Sequence, residues 1–229
     1  MVFKNHHLVT VYTLLGFVAC LIAGHSAFAS GQYVVGNAQI FEPRSVVMEL
    51  WHSGVDDANF VGITARHELP FEITGIVEMP RFGREVLELE GKYLFRELQT
   101  HGYGIGLIGA IVYDTDSDRV EESNLIVPLT LEPIPGRTLV HTNLSVSHIR
   151  EDSDTELFWG VGVETVLFGP FEAVAEIFGN ADDDPVIQAG LRMFVLNDQV
   201  SLDVSYYKEF ESGGESGWIA GIGFEALRF

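Results

Sequence analysis

The sequence predicts an all-β protein, a transmembrane antiparallel up-and-down β-barrel of twelve strands, or ten if the first pair fails to form. Three observations carry this expectation. The first is strict alternation. Over 155–167, Leu157, Trp159, Val161, Val163 and Leu167 share one face, and Glu156, Phe158, Gly160, Gly162 and Glu164 the other. Over 185–195, Ile187, Ala189, Leu191, Met193 and Val195 oppose Gln188, Gly190, Arg192 and Phe194. A period of two places successive side chains on opposite faces of a strand. The second observation is length. The runs are about ten residues long, the reach of a tilted membrane strand, and no stretch beyond the first 29 residues offers the ~20 uninterrupted apolar residues of a membrane helix. The third is the polar face, which repeatedly carries Glu, Arg and Lys. A soluble barrel turns its apolar face inward; charge on the opposite face of long apolar strands suits a wet lumen inside a lipid-facing wall.

In order, the strands are expected over 45–52, 60–67, 71–79, 84–98, 103–113, 124–132, 137–148, 155–167, 171–177, 185–195, 200–206 and 218–229. Residues 30–44 read as a lead-in with no clear face. In 84–98, Glu88, Glu90, Lys92 and Arg96 fall on one side. In 103–113, Tyr103 and Tyr113 lie near opposite ends, as aromatic belts at two interfaces require. Pro128 removes a ladder donor from 124–132 and weakens that strand. Asn197-Asp198 is a two-residue hairpin signal. Near the end, Trp218, Ala220, Ile222 and Phe224 share a face that Phe229 does not. Either a bulge shifts the phase near Ala226 or the last residues leave the sheet. Connections alternate between a mostly longer, acidic set (SGVDDAN, PRFG, DTDSDRVEES, IREDSD, GNADDDP, FESGGESG) and a short set (HELP, QTHG, EPIPG, FGP, ND). Outer-membrane barrels place long loops outside and short turns in the periplasm, which puts both termini on the periplasmic side.

Residues 1–29 read as a secretory signal peptide: Lys4 at the start, an apolar run over 8–23, and Ala27-Phe28-Ala29 as a small-residue cleavage site before Ser30. Phe17-Val18-Ala19-Cys20 is a poor lipobox. Cleavage leaves a single barrel domain, 30–229, without the only cysteine, so no disulfide supports it. The whole chain carries a formal charge of −20, which argues against nucleic acid as a partner. The expected surroundings are outer-membrane lipid and lipopolysaccharide in a Gram-negative cell, reached through the periplasm and the outer-membrane assembly machinery, with the protein a monomer.

An ordered series of short motifs adds to this. Leu139-Val140-His141-Thr142-Asn143-Leu144, Phe158-Trp159-Gly160-Val161-Gly162-Val163-Glu164, Ala175-Glu176-Ile177-Phe178-Gly179, Gln188-Ala189-Gly190-Leu191-Arg192 and Leu202-Asp203-Val204-Ser205-Tyr206 resemble the small outer-membrane barrels of the phenol-degradation-pathway (MetA-type) or putative transporter group. The resemblance covers roughly 84–229. It implies an outer-membrane location and passage of small organic molecules, and supplies no catalytic residues.

The residues expected in the lumen, as a solute-binding pore lining, are Arg66, Glu72, Glu88, Glu90, Lys92, Arg96, His141, Asn143, Glu164, Glu176, Arg192 and Asp203. Carboxylates outnumber bases. One reading is a network of ion pairs that fills a narrow barrel. The other is a polar, cation-tolerant pore with Arg66, Lys92, Arg96 and Arg192 shaping a constriction. The expected function is passive passage of small molecules without cofactor or metal; the alternatives are a closed structural or surface-binding barrel, or a lipid-modifying enzyme. Enzymatic chemistry is disfavoured because His141 and Ser145 are about 13 Å apart along one strand, and His148 lies on the other face. Acidic loops at 114–118 and 182–184 suit hard cations in ligand type but lack EF-hand spacing.

Overall fold

The computed structural model describes residues 32–150, 154–181, 183–211 and 213–228. The segment read as a signal peptide and the terminal Phe229 lie outside the described residues. Twelve strands follow one another: β1 (Ser45–Ser53), β2 (Ala58–Arg66), β3 (Phe71–Pro80), β4 (Val86–Arg96), β5 (Tyr103–Asp114), β6 (Arg119–Ile134), β7 (Thr138–Ile149), β8 (Asp154–Phe168), β9 (Phe171–Asn180), β10 (Val186–Val195), β11 (Val200–Glu209) and β12 (Ser216–Arg228). Each pairs antiparallel with its sequence neighbours, and β1 pairs with β12, so the sheet closes. Closure leaves no strand edge with unpaired amides, which a lipid environment demands.

Burial is inverted relative to a soluble protein. Leu144 on β7 is 70% exposed and Leu157 on β8 is 60% exposed, while Arg192 on β10 is 1% exposed. Apolar side chains therefore form the outer wall, and polar ones the interior. Exposed aromatics gather at both rims. Phe71, Tyr93, Phe95, Tyr103 and Phe168 ring the end where the chain enters β1, and Tyr206 and Trp218 stand at the other end in edge-to-face contact, 5.1 Å between centroids. This is the belt pattern of a membrane-spanning wall.

Several local details differ from the sequence reading. β6 begins at Arg119, so the acidic connection after β5 shrinks to 115–118, and Glu122 becomes a strand residue. Ion pairs from Arg84 to Asp114 and Glu121, and from Arg119 to Glu121, tie this extension to its neighbours. Pro128 does sit inside β6. The β5–β6 ladder skips Gly106, Leu107, Val127 and Pro128, then resumes in the same register, so the missing N–H costs pairing without a slip. The connection 97–102 contains one helical turn, α1 (Leu98–His101), closed by Gly102 at φ 76°. The hairpin after β10 spans four residues, 196–199, with Leu196, Asn197 and Asp198 all left-handed. Asn and Asp tolerate that conformation; Leu196 adopts it only because the turn requires it. Near the end, Val46 pairs with Leu227 but Met48 with Phe224, so β12 carries one extra residue. Of the two alternatives posed by the sequence, the bulge is the one formed.

Candidate functional site: a divided lumen

The segment 32–41, which the sequence leaves as a lead-in, runs up the inside of the barrel. Phe41 lies at the entry end and Gln32 well toward the loop end, near Gly221 and Gln188. The segment does not join the sheet, so its backbone groups need other partners, and the wall provides them. The carboxylate of Glu176 on β9 accepts the N–H groups of Val34 at 2.9 Å and Val35 at 3.0 Å. Thr130 on β6 accepts Ala38 N–H at 2.7 Å and is itself bonded to His141 Nδ1 on β7 at 2.9 Å. Asn143, with its amide turned to satisfy both groups, donates to Gly36 O and accepts Gly36 N–H, each at 2.8 Å. Lys92 donates to Gln39 O at 3.2 Å. At the entry, Glu72 accepts Phe41 N–H at 3.2 Å and Arg66 donates to Phe41 O.

Glycines make room for this strap. A Cβ on Gly104 would collide with Ala38 O, and one on Gly160 would lie 2.7 Å from a methyl of Val35. Inward-facing strand glycines mark a close backbone approach, and that is the signal the sequence offers for it.

The strap divides the interior into two unlike halves. Against β7–β11 it packs on a compact charged cluster. Arg192 Nε donates to Asp203 at 2.7 Å, Arg192 Nη1 lies 3.8 Å from Glu164, and His141 Nε2 lies 3.8 Å from the same Glu164 oxygen. The Arg192 guanidinium also sits 5.6 Å over the Tyr33 ring. Glu172, the cross-strand partner of Arg192, is 1% exposed.

On the side of β1–β6 the lumen holds two cavities stacked along the barrel axis, the second also reaching Gln188, Tyr207 and Ile219 of β10, β11 and β12. One, of about 320 Å³, opens toward the entry end. The other, of about 410 Å³, opens toward the loop end. They meet at a waist shared by Val34, Trp51, Ile76 and Glu88. Strand register orders the walls into rows. Trp51, Phe60, Glu78 and Val86 form one row; Glu49, Gly62, Ile76, Glu88, Val112 and Glu122 the next; then Thr64, Thr74 and Glu90; then Arg66, Glu72 and Lys92. Among the described residues, seven carboxylates line the two cavities (Glu49, Asp56, Glu72, Glu78, Glu88, Glu90 and Glu122) against one base, Lys92. That base is paired with Glu72 at 2.9 Å.

The twelve expected site residues therefore separate. Glu72, Glu88, Glu90, Lys92 and Asn143 line the cavities. Arg66, His141 and Glu176 hold the strap, directly or through Thr130. Glu164, Arg192 and Asp203 form the charged cluster behind it. Arg96 is a correction. A bulge between Leu94 and Arg96 pairs Arg96 with Ile105, on the outward face, so it is exposed at the rim beside His101 and not in the lumen. The expected constriction of four bases is likewise replaced: Arg66 stands at the entry, Arg192 behind the strap, and the waist is made by Val34, Trp51, Ile76 and Glu88. Trp51 and Glu122 join the lining without having stood out in the sequence, Glu122 because its surroundings read as a loop. Ser147 faces inward and bonds Glu122 at 2.7 Å, whereas His148 is exposed on the outer face, so the two do not converge.

A closed barrel with an apolar outer wall, aromatic rims and a polar interior is the architecture of the outer-membrane porins. The chain belongs to the family described as Uncharacterised conserved protein UCP029691, whose model matches residues 17–226. No curated protein matches the sequence. Among solved structures, the chain is similar to the KdgM porin (TM-score 0.62, 9% identity, 79% of this chain and 98% of that one). It is also similar to the NanC porin (TM-score 0.59, 8% identity, 79% and 99%). A third is the KdgM porin in complex with disordered oligogalacturonate (TM-score 0.62, 10% identity, 79% and 98%). At these identities the likeness concerns the fold.

Proposed function

We propose that this protein is a narrow, passive outer-membrane channel that favours cations and small neutral or cationic solutes over anions. The observation that carries the reading is the pair of cavities beside the strap, lined by seven carboxylates and, among the described residues, by one base, Lys92, which is paired with Glu72. A path with excess negative charge in a low-dielectric wall concentrates cations and repels anions. Oligogalacturonate, which the KdgM complex contains, is a polyanion, so this lumen suits a solute of the opposite charge.

The signal peptide is removed ahead of Ser30, and the chain is inserted by the outer-membrane assembly machinery. The monomer then sits among lipid and lipopolysaccharide with its acidic loops outside. No cofactor or catalytic step is involved. A second reading, a closed barrel with a structural role, draws on the strap, which fills the half of the lumen against β7–β11.

Planar-bilayer recording of the refolded protein, with heat-modifiable gel mobility as the folding check, separates the two. The channel reading expects small stepwise currents. Silence from folded, inserted protein would sink it and favour the closed barrel. Full phospholipase or deacylase activity that disappears in Ser147→Ala would instead establish the enzyme.

A further inference from the structure

We propose that the waist of the open half-lumen is a binding site for linear organic diammonium ions, short alkyl diamines and their longer polyamine relatives. The inference rests on the channel reading for its biological use but not for its chemistry.

The carboxylates are not scattered. Strand register sets acidic rows two residues apart along β3 and β4: Glu78, then Glu88 with Glu49 and Glu122, then Glu90. Each two-residue step is about 7 Å along a strand, which is the scale of two ammonium groups joined by a four-carbon chain. Between and beside the acids the wall is apolar. Ile76 and Val34 face the waist, and Trp51 stacks on Phe60 with parallel rings 5.0 Å apart. Gly62 leaves the space that the Trp51 ring occupies, 3.3 Å from where a Cβ would be. Methylene groups pack against these surfaces, and a cation gains further attraction from the indole face. A bare metal ion or a quaternary ammonium would use only part of this arrangement.

A second observation points to a ligand that donates hydrogen bonds. Gln39 in the entry-side cavity is 5% exposed and its Oε1 has no hydrogen-bond partner among the described residues. In the loop-side cavity Gln188, 0% exposed, spends its Nε2 on Gln32 O and Ser205 Oγ and leaves its Oε1 without one. Buried acceptors without partners are costly. Primary ammonium groups, each with three N–H donors, match acceptors and carboxylates together.

The test is isothermal titration of the membrane-purified protein in detergent, at low salt, with 1,4-diaminobutane. Glutarate serves as an anion of similar length, and tetramethylammonium as a cation without N–H donors. The expected result is saturable binding of the diamine, weaker binding of tetramethylammonium and none of glutarate. Glu88→Gln should weaken diamine binding about tenfold or more, and Trp51→Ala about 5- to 30-fold. Asp183→Asn/Asp184→Asn in the outer loop should leave it unchanged. Each variant is accepted only if its heat-modifiable gel shift is retained; should Trp51→Ala misfold, Trp51→Phe and Glu122→Gln replace it. Diamine binding that ignores Glu88 and Glu122 but falls in the loop variant would mean condensation on the acidic surface and would overturn the site. Cation currents without diamine binding would sink the site and leave the channel standing. Diamine binding without currents would keep the site and sink the channel.

Discussion

Glu176 is the side chain whose replacement tests the strap most cleanly. Its carboxylate accepts two adjacent backbone N–H groups, from Val34 and Val35, at 2.9 and 3.0 Å. In Glu176→Gln the shape is kept, but one oxygen becomes an amide nitrogen that opposes a backbone N–H with another donor. At least one charge-assisted bond is then lost. At roughly 2 kcal/mol for such a bond, the detached strap gains about 30-fold in population. The barrel itself keeps its full hydrogen-bond ladder, because β9 pairs with β8 and β10 through backbone groups that the substitution does not touch. Hydrogen exchange read by mass spectrometry on the detergent-solubilised protein should show amides within 32–41 exchanging about 30-fold faster, with β9 unchanged. In bilayers the same variant should show more frequent visits to a larger conductance. Unchanged exchange in 32–41, or acceleration spread evenly over all twelve strands, would refute the claim that Glu176 anchors a separable strap.

Gly104→Val drives a side chain into the space held by Ala38 O; the strap should be expelled, and protease should cut within 32–41 while the barrel band resists. Arg192→Leu strands Asp203 and Glu164 in the buried cluster, a loss of about 3–5 kcal/mol in urea unfolding from vesicles, and Arg192→Leu/Asp203→Leu should recover part of it; no loss in the single variant would contradict the cluster's structural role. Leu144→Arg, in the middle of β7 on the outer wall, should destabilise the inserted barrel by about 2–4 kcal/mol, and a neutral effect would mean that this face does not meet lipid.

How much of this is readable in the residues depends on periodicity. The wall is legible because lipid outside and water inside impose a two-residue repeat on every strand, and even the break in phase before Phe229 announces the bulge in β12. The strap is not legible. Its contacts are to wall residues as far as 156 positions away, they use backbone groups common to every residue type, and the segment has no repeat of its own. Only the inward glycines, Gly104 and Gly160 among them, record its presence, and they read equally well as ordinary strand glycines until something is seen to fill the space. Arg96 is misplaced by alternation for a related reason: a bulge adds one residue and turns every later side chain of its strand to the other face, and nothing in the run Leu94–Phe95–Arg96 distinguishes it from regular alternation. Glu122 reads as a loop residue because its acidic surroundings outweigh the alternation that continues through them. The candidate site thus assembles from correctly sided residues, but its division by the strap, and hence which carboxylates face open space, comes from the fold.

In the proposed channel, an acidic half-lumen beside the strap governs what passes. The most direct measurement is the reversal potential of the reconstituted protein under a potassium chloride gradient. Cation preference is predicted, falling in Glu88→Gln/Glu122→Gln, which removes two carboxylates of one register row. Anion preference, or selectivity indifferent to that pair of substitutions, would contradict the account.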